Sequence, residues 1–108
     1  EHLIGNPQQR ILHGGVISTL LDTVGGLLAA ASVVDKISVD EAHTLQARLA
    51  NLGTIDLRTD YLRPGKGLRF SASATLIRSG NKVCVCRMEL HNEEGMQIAF
   101  GTGTYLVG

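Results

Sequence analysis

From Gly14 to Val34 the chain is apolar on every helical face: only Ser18, Thr19, Asp22, Thr23 and Ser32 carry polar side chains, and Asp22 alone is ionisable. The pattern predicts one long helix, opened by His13-Gly14-Gly15, surrounded by protein and running through the middle of the fold. Gly25 and Gly26 lower its helix propensity but let a sheet approach its backbone closely. Ahead of it, residues 1–12 read as a short extended piece and then a loop, with Gly5-Asn6-Pro7 as the turn. Behind it, Ser38 and Glu41 have capping-box spacing, so SVDEAHTLQARLA is expected to form a second, amphipathic helix ending near Asn51.

Beyond Gly53 the period becomes two. In LRFSASATLIR, Leu68, Phe70, Ala72, Ala74 and Leu76 share one face and Arg69, Ser71, Ser73 and Thr75 the other. In KVCVCRMEL, Cys84, Cys86, Met88 and Leu90 alternate with Val83, Val85, Arg87 and Glu89, and Met96, Ile98 and Phe100 continue the pattern. Turn signals at 63–67, 79–81 and 92–95 separate four strands at hairpin spacing, so the sheet is expected to be antiparallel here. Helical material followed by strands, with no repeat or linker, predicts a single α+β domain: a curved antiparallel β-sheet wrapped around one long central α-helix.

At 108 residues the chain can build one hydrophobic core, and self-association would help it. Ten basic and ten acidic residues balance without a basic run, which removes the electrostatic signature of nucleic-acid or membrane-surface binding and leaves an anionic ligand to a local cluster. The run from 14 to 34 is long enough for a membrane span, but Asp22 and the glycines favour a buried helix. No signal peptide is visible. Cys84 and Cys86, one residue apart on a predicted strand, suit neither a normal disulfide nor a zinc site. They predict a reduced, cytoplasmic setting without bound metal, with the thiols serving as small apolar core groups.

A purely packing role at position 22 would have selected Leu or Ala. A carboxylate on such a helix is costly unless it is paired or functional, which makes Asp22 the candidate general base or nucleophile. The first-turn N–H groups of Gly14 and Gly15 are unsatisfied within the helix and lie at its positive end, as a carbonyl oxygen gaining charge requires. A plain turn into a helix would use the same glycines. His13 is expected to set this loop by hydrogen bonding. Asp56, Arg58 and Asp60 alternate along one strand and read as cross-strand ion pairing. Arg63, Lys66, Arg78 and Lys82 fall in turns or at strand ends, where an anionic group could be met and where residues are usually just solvated.

Two separated motifs, Asn6…His13-Gly14-Gly15 with Asp22, and NLGTIDLRTDYLRP from Asn51 to Pro64, resemble the hotdog-fold acyl-CoA thioesterases of the phenylacetic-acid-degradation type. The likeness covers nearly the whole chain. It implies the hotdog fold, Gly14 as oxyanion donor with Gly15 beside it, and Thr54 as the hydroxyl that orients Asp22 or the attacking water. Asn6, one residue further from His13 than the family spacing, is the remaining implied site residue. The resemblance makes coenzyme A phosphates the anion for Arg63, Lys66 and Arg78. Hotdog domains carry a further strand before the helix, for which only residues 1–4 are available here, so an N-terminally truncated chain is expected.

Gly14 and Asp22, eight residues apart on one helix, are about 12 Å apart along its axis. One carbonyl cannot touch both, so the site must combine two chains, with antiparallel helices placing Gly14 of one opposite Asp22 of the other. The resemblance implies the same homodimer, often paired into tetramers. The expected function is hydrolysis of an acyl-CoA thioester without metal or redox cofactor. The alternative is a non-catalytic acyl-CoA-binding hotdog module. A hotdog dehydratase or hydratase fits less well, since His13 beside Gly-Gly does not match the histidine motif of those enzymes.

Overall fold

The computed structural model describes residues 4–6 and 11–108. Strands β1 (Ile4–Asn6) and β2 (Ile11–Leu12) precede helix α1 (Gly14–Lys36); a 3-10 helix (Val39–Thr44) and α2 (Leu45–Ala50) follow. Then come β3 (Gly53–Tyr61), β4 (Gly65–Lys66), β5 (Phe70–Ser79), β6 (Val83–Asn92) and β7 (Gln97–Leu106). The main sheet has the order β3-β7-β6-β5, antiparallel throughout, and a small sheet has the order β1-β2-β4. This is the expected arrangement of one long helix on an antiparallel sheet, with two differences in topology. The piece before α1 is a strand pair where an extended piece and a loop were expected. The turn after β3 does not make a hairpin: β3 pairs with β7, and residues 62–69 carry the chain to the opposite edge.

Helix α1 buries Ile17, Leu21, Gly25, Ala29, Ser32 and Val33, one face at helical spacing, against Cys84, Cys86, Met88 and Leu90 of β6 and Ile98, Ala99 and Tyr105 of β7. Each large side chain buried this way stabilises the fold by roughly 1.5–3 kcal/mol. At Gly25 the sheet comes so close that a Cβ would collide with the Tyr105 hydroxyl and with Met88 Sδ. The helix is not surrounded, however. Gly15, Thr19, Thr23, Leu27, Ala31 and Val34 form an exposed stripe, with Leu27 66% exposed. The second predicted helix is broken in two: Ser38 Oγ donates to the Glu41 carboxylate at 3.1 Å, and the Glu41 N–H to the Ser38 carbonyl at 3.0 Å, closing a 3-10 turn instead of a capping box.

Three β-bulges in the main sheet break the period-two pattern. In β7, Leu90 pairs with Ala99 but His91 pairs with Gln97, so Ile98 is the extra residue and remains buried. From there Ala99, Gly101, Gly103 and Tyr105 point to the core, while Phe100 lies on the outer face under the Arg87 guanidinium, 4.5 Å from its ring centroid, and Met96 is exposed. In β5 the slip between Leu76 and Arg78 ends the inward row at Leu76, which pairs with Cys86 yet is partly exposed, and Leu68, expected inward, lies before the strand and is exposed. The third, in β3, separates Thr54 from Asp56. On this strand Arg58 pairs with Asp60 at 3.4 Å, two residues along one strand and not across strands.

Beyond β4 the Glu93 carboxylate accepts the N–H groups of Leu68 and Arg69, both at 2.8 Å, and these two bonds hold its pKa below the usual value. A carboxyl group with a depressed folded-state pKa adds stability above its unfolded pKa and loses it as pH falls through the folded value. Glu93→Gln is therefore expected to lower stability near neutral pH, with the gap to the unmodified chain closing in acid. Paired denaturant titrations across the carboxylate range would check this, and a gap that does not depend on pH would contradict it.

Candidate active site

Between Gly14 and Val34 every polar side chain of α1 has a hydrogen bond, and the partners sort the helix by function. Thr19 Oγ1 donates to the Gly15 carbonyl at 2.8 Å, Thr23 Oγ1 to that of Thr19 at 2.7 Å, and Ser32 Oγ to that of Ala29 at 2.8 Å, all within the helix. Ser18 reaches β3, 3.3 Å from Thr59 Oγ1 and 2.6 Å from the Tyr61 hydroxyl, which also donates to the Gly14 carbonyl at 3.0 Å. Asp22 is left as the one ionisable group between Gly14 and Val34. Thr54 Oγ1 donates to its Oδ1 at 2.9 Å, and among the described residues its other carboxylate oxygen has no partner. That oxygen is free for a proton or an electrophile.

The bulge in β3 makes this contact. Thr54 pairs with Tyr105 and Asp56 with Thr104, so Ile55 is an extra residue, pushed out and 57% exposed. By parity Thr54 belongs with Asp56, Arg58 and Asp60 on the outer face; the extra residue turns it inward, with Thr59 and Tyr61. Re-aiming one side chain is a recurrent use of bulges beside active sites. Asp22 and Thr54 stand at a cavity of about 320 Å³ whose other walls are mostly apolar: Gly26, Leu27, Ala30, Leu52 and the Tyr105 ring.

At the other end of the helix His13 is the N-cap, its Nδ1 accepting the Gly15 N–H at 3.0 Å. The Gly15 N–H is thus occupied, contrary to its reading as a free donor, while the Gly14 N–H has no acceptor among the described residues. A neutral ring with its proton on Nε2 is the form that can accept this bond. A second cleft, of about 280 Å³, lies here between Gly14, Ile17, Tyr61 and the 62–65 segment. Arg63 lines it, with its guanidinium donating to the Gln97 carbonyl. Lys66 follows on β4, and Arg78 is remote, on the opposite edge strand from Thr54. The Asn6 side chain lies outside the described residues. Tyr61 and Tyr105, singled out by no spacing in the sequence, both reach this machinery.

Cys84 and Cys86 are fully buried, their sulfurs 3.8 Å apart. Burial, then the neighbouring Cys84, pushes the Cys86 thiol up to about 12, far from a nucleophilic thiolate.

Residues 9–99 match the thioesterase superfamily. The chain belongs to that superfamily. It is 52% identical over 106 residues to the medium/long-chain acyl-CoA thioesterase YigI of Escherichia coli K12, a match covering 98% of this chain and 68% of that one. Among solved structures of this superfamily, a thioesterase-superfamily protein from Shewanella oneidensis is 60% identical, with a TM-score of 0.88 over 99% of this chain and 70% of that one. The BH2602 protein of Bacillus halodurans, solved with CoA, is 27% identical, with a TM-score of 0.76 over 98% of this chain and 65% of its own. The long helix on a curved antiparallel sheet is the hotdog fold of these thioesterases.

Proposed function

We propose that this chain hydrolyses medium- to long-chain acyl-CoA thioesters, with Asp22 as general base or nucleophile, at sites shared by two copies. The observation that carries the reading is the hydroxyl-to-carboxylate bond between Thr54 and Asp22 at the mouth of an apolar cavity. A carboxylate with one free oxygen stands beside a slot fit for a hydrocarbon chain. The name of the Escherichia coli relative and the CoA of the Bacillus halodurans structure support the substrate class.

The exposed stripe of α1 and the free edge of β3, where Ile55 is bare, are surfaces a second copy would cover. With the helices antiparallel, the Gly14 cleft of one subunit meets the Asp22 cavity of the other. The carbonyl oxygen then faces the free Gly14 N–H at the positive end of a helix. Asp22 takes a proton from water as the water oxygen bonds to the carbonyl carbon; the C–S bond then breaks and the thiolate leaves, to be protonated. In the nucleophilic version the carboxylate forms an anhydride as the thiolate leaves, and water opens it. Arg63 and Lys66, towards the Gly14 end, are the residues we assign to the phosphates.

A panel of acyl-CoA substrates of increasing chain length, read by release of free thiol, tests the proposal. Each methylene entering the cavity should raise kcat/KM about fourfold, ~0.8 kcal/mol, until the cavity is full. Binding without thiol release from any member would overturn the catalytic reading and leave a binding module.

A further inference from the structure

Asp22 is held at two points, and only one of them involves its carboxylate. Thr54 and Tyr105 are directly opposite each other in the pairing of β3 with β7. Thr54 holds Oδ1; the Tyr105 hydroxyl lies 3.3 Å from the backbone carbonyl of Asp22, to which it donates. One cross-strand pair therefore grips both ends of a single helical residue.

The surroundings of Tyr105 are shaped around that hydroxyl. Tyr105 is 1% exposed and is the largest fully buried side chain in the described fold. Its ring occupies the space a side chain would take at Gly103 on its own strand, and its hydroxyl the space a side chain would take at Gly25 on the helix. Gly25 and Gly26 each forgo roughly 1 kcal/mol of helix propensity relative to Ala, three and four residues after Asp22. They let the turn that carries the carboxylate come down onto the phenol. The phenol pKa is raised by burial first and then by the charge of Asp22, so the group stays a neutral donor at any pH where the protein works.

We propose that Tyr105 is a positioning residue that fixes the Asp22 turn against the sheet, so that the carboxylate meets Thr54 and the substrate carbonyl in one orientation. Its bearing on catalysis rests on the reading of Asp22 as the working carboxylate. Tyr105 touches no reacting atom; it acts through the backbone of the residue that does. A carboxylate displaced by a fraction of an ångström loses alignment in the transition state more than it loses ground-state binding.

Tyr105→Phe keeps the ring in its slot and removes only the hydroxyl. The expected result is a folded protein with kcat lowered about tenfold, KM for a long-chain acyl-CoA unchanged within about twofold, and a crystal structure in which the Asp22 carboxylate has left Thr54 Oγ1 or occupies more than one rotamer. A tenfold fall corresponds to about 1.4 kcal/mol of transition-state stabilisation. Unchanged kcat with an intact 2.9 Å Thr54–Asp22 bond would overturn the proposal, as would failure to fold, which would make the hydroxyl a core-holding group. The crystal structure decides the positional role independently of turnover. An unmodified chain inactive on every acyl-CoA would sink the thioesterase reading, while the Asp22 geometry in the Phe variant would still answer for Tyr105.

Discussion

Replacing Asp22 by Asn should lower kcat by about a hundredfold to ten-thousandfold while leaving acyl-CoA binding nearly intact. The amide has the carboxylate's shape, so Thr54 keeps an acceptor at its 2.9 Å contact and the cavity keeps its walls. What disappears is the ability to take a proton or to attack. Because Asp22 is only half-buried and its described partner is a neutral hydroxyl, the exchange leaves no buried countercharge behind, and the fold should tolerate it. Steady-state kinetics with a long-chain acyl-CoA, beside a binding isotherm for the same ligand, give both halves of the expectation. Turnover near that of the unmodified chain would remove Asp22 from the chemistry.

Two inactive proteins should also rescue each other. Gly14→Pro removes the N–H at the first helical position, where proline is well accommodated. His13, at φ −65° and ψ 142°, already has the extended backbone that a residue before proline prefers. A Cβ at position 14 meets the Tyr61 ring only at ordinary contact distance, 3.6 Å. Loss of one oxyanion donor should lower kcat by about a hundredfold to a thousandfold. Mixed and refolded with Asp22→Ala, about half the dimers pair one chain of each kind, and each such dimer has one intact site, so about a quarter of normal activity returns. No recovery, with mixed dimers shown to form and both variants shown to fold, would place both groups in one chain's own site.

The distances in this argument were accessible from the sequence because an α-helix is a ruler: eight residues fix the separation of Gly14 and Asp22 before any coordinate is known. The polar residues on an apolar helix were legible for a similar reason, since a carboxylate among Leu, Val and Gly stands out whatever surrounds it. Sheets offer no such ruler once an extra residue enters. Ile98 reversed the faces of Phe100 and Tyr105, and Ile55 reversed that of Thr54, and none of the flanking residues announces a bulge. Tyr105 was hidden for that reason. The exposed stripe of α1 was hidden for another: apolar residues on every face of a helix read as buried, and the sequence does not say which face its own sheet covers.

The bulge at Ile55 also makes the length of β3 forgiving at one place and nowhere else along it. A chain lacking Ile55 would still set Thr54 against Tyr105 and Asp56 against Thr104, with every side chain on its present face. A chain lacking Leu57 could keep Thr54 against Tyr105 and Arg58 against Thr102 only by closing the bulge, which would set the Asp56 carboxylate inward, opposite Gly103, where Leu57 now lies. Deletions one or two positions apart would thus have opposite fates, and the strand that carries Thr54 can change length without changing what it presents only where the residue is already surplus.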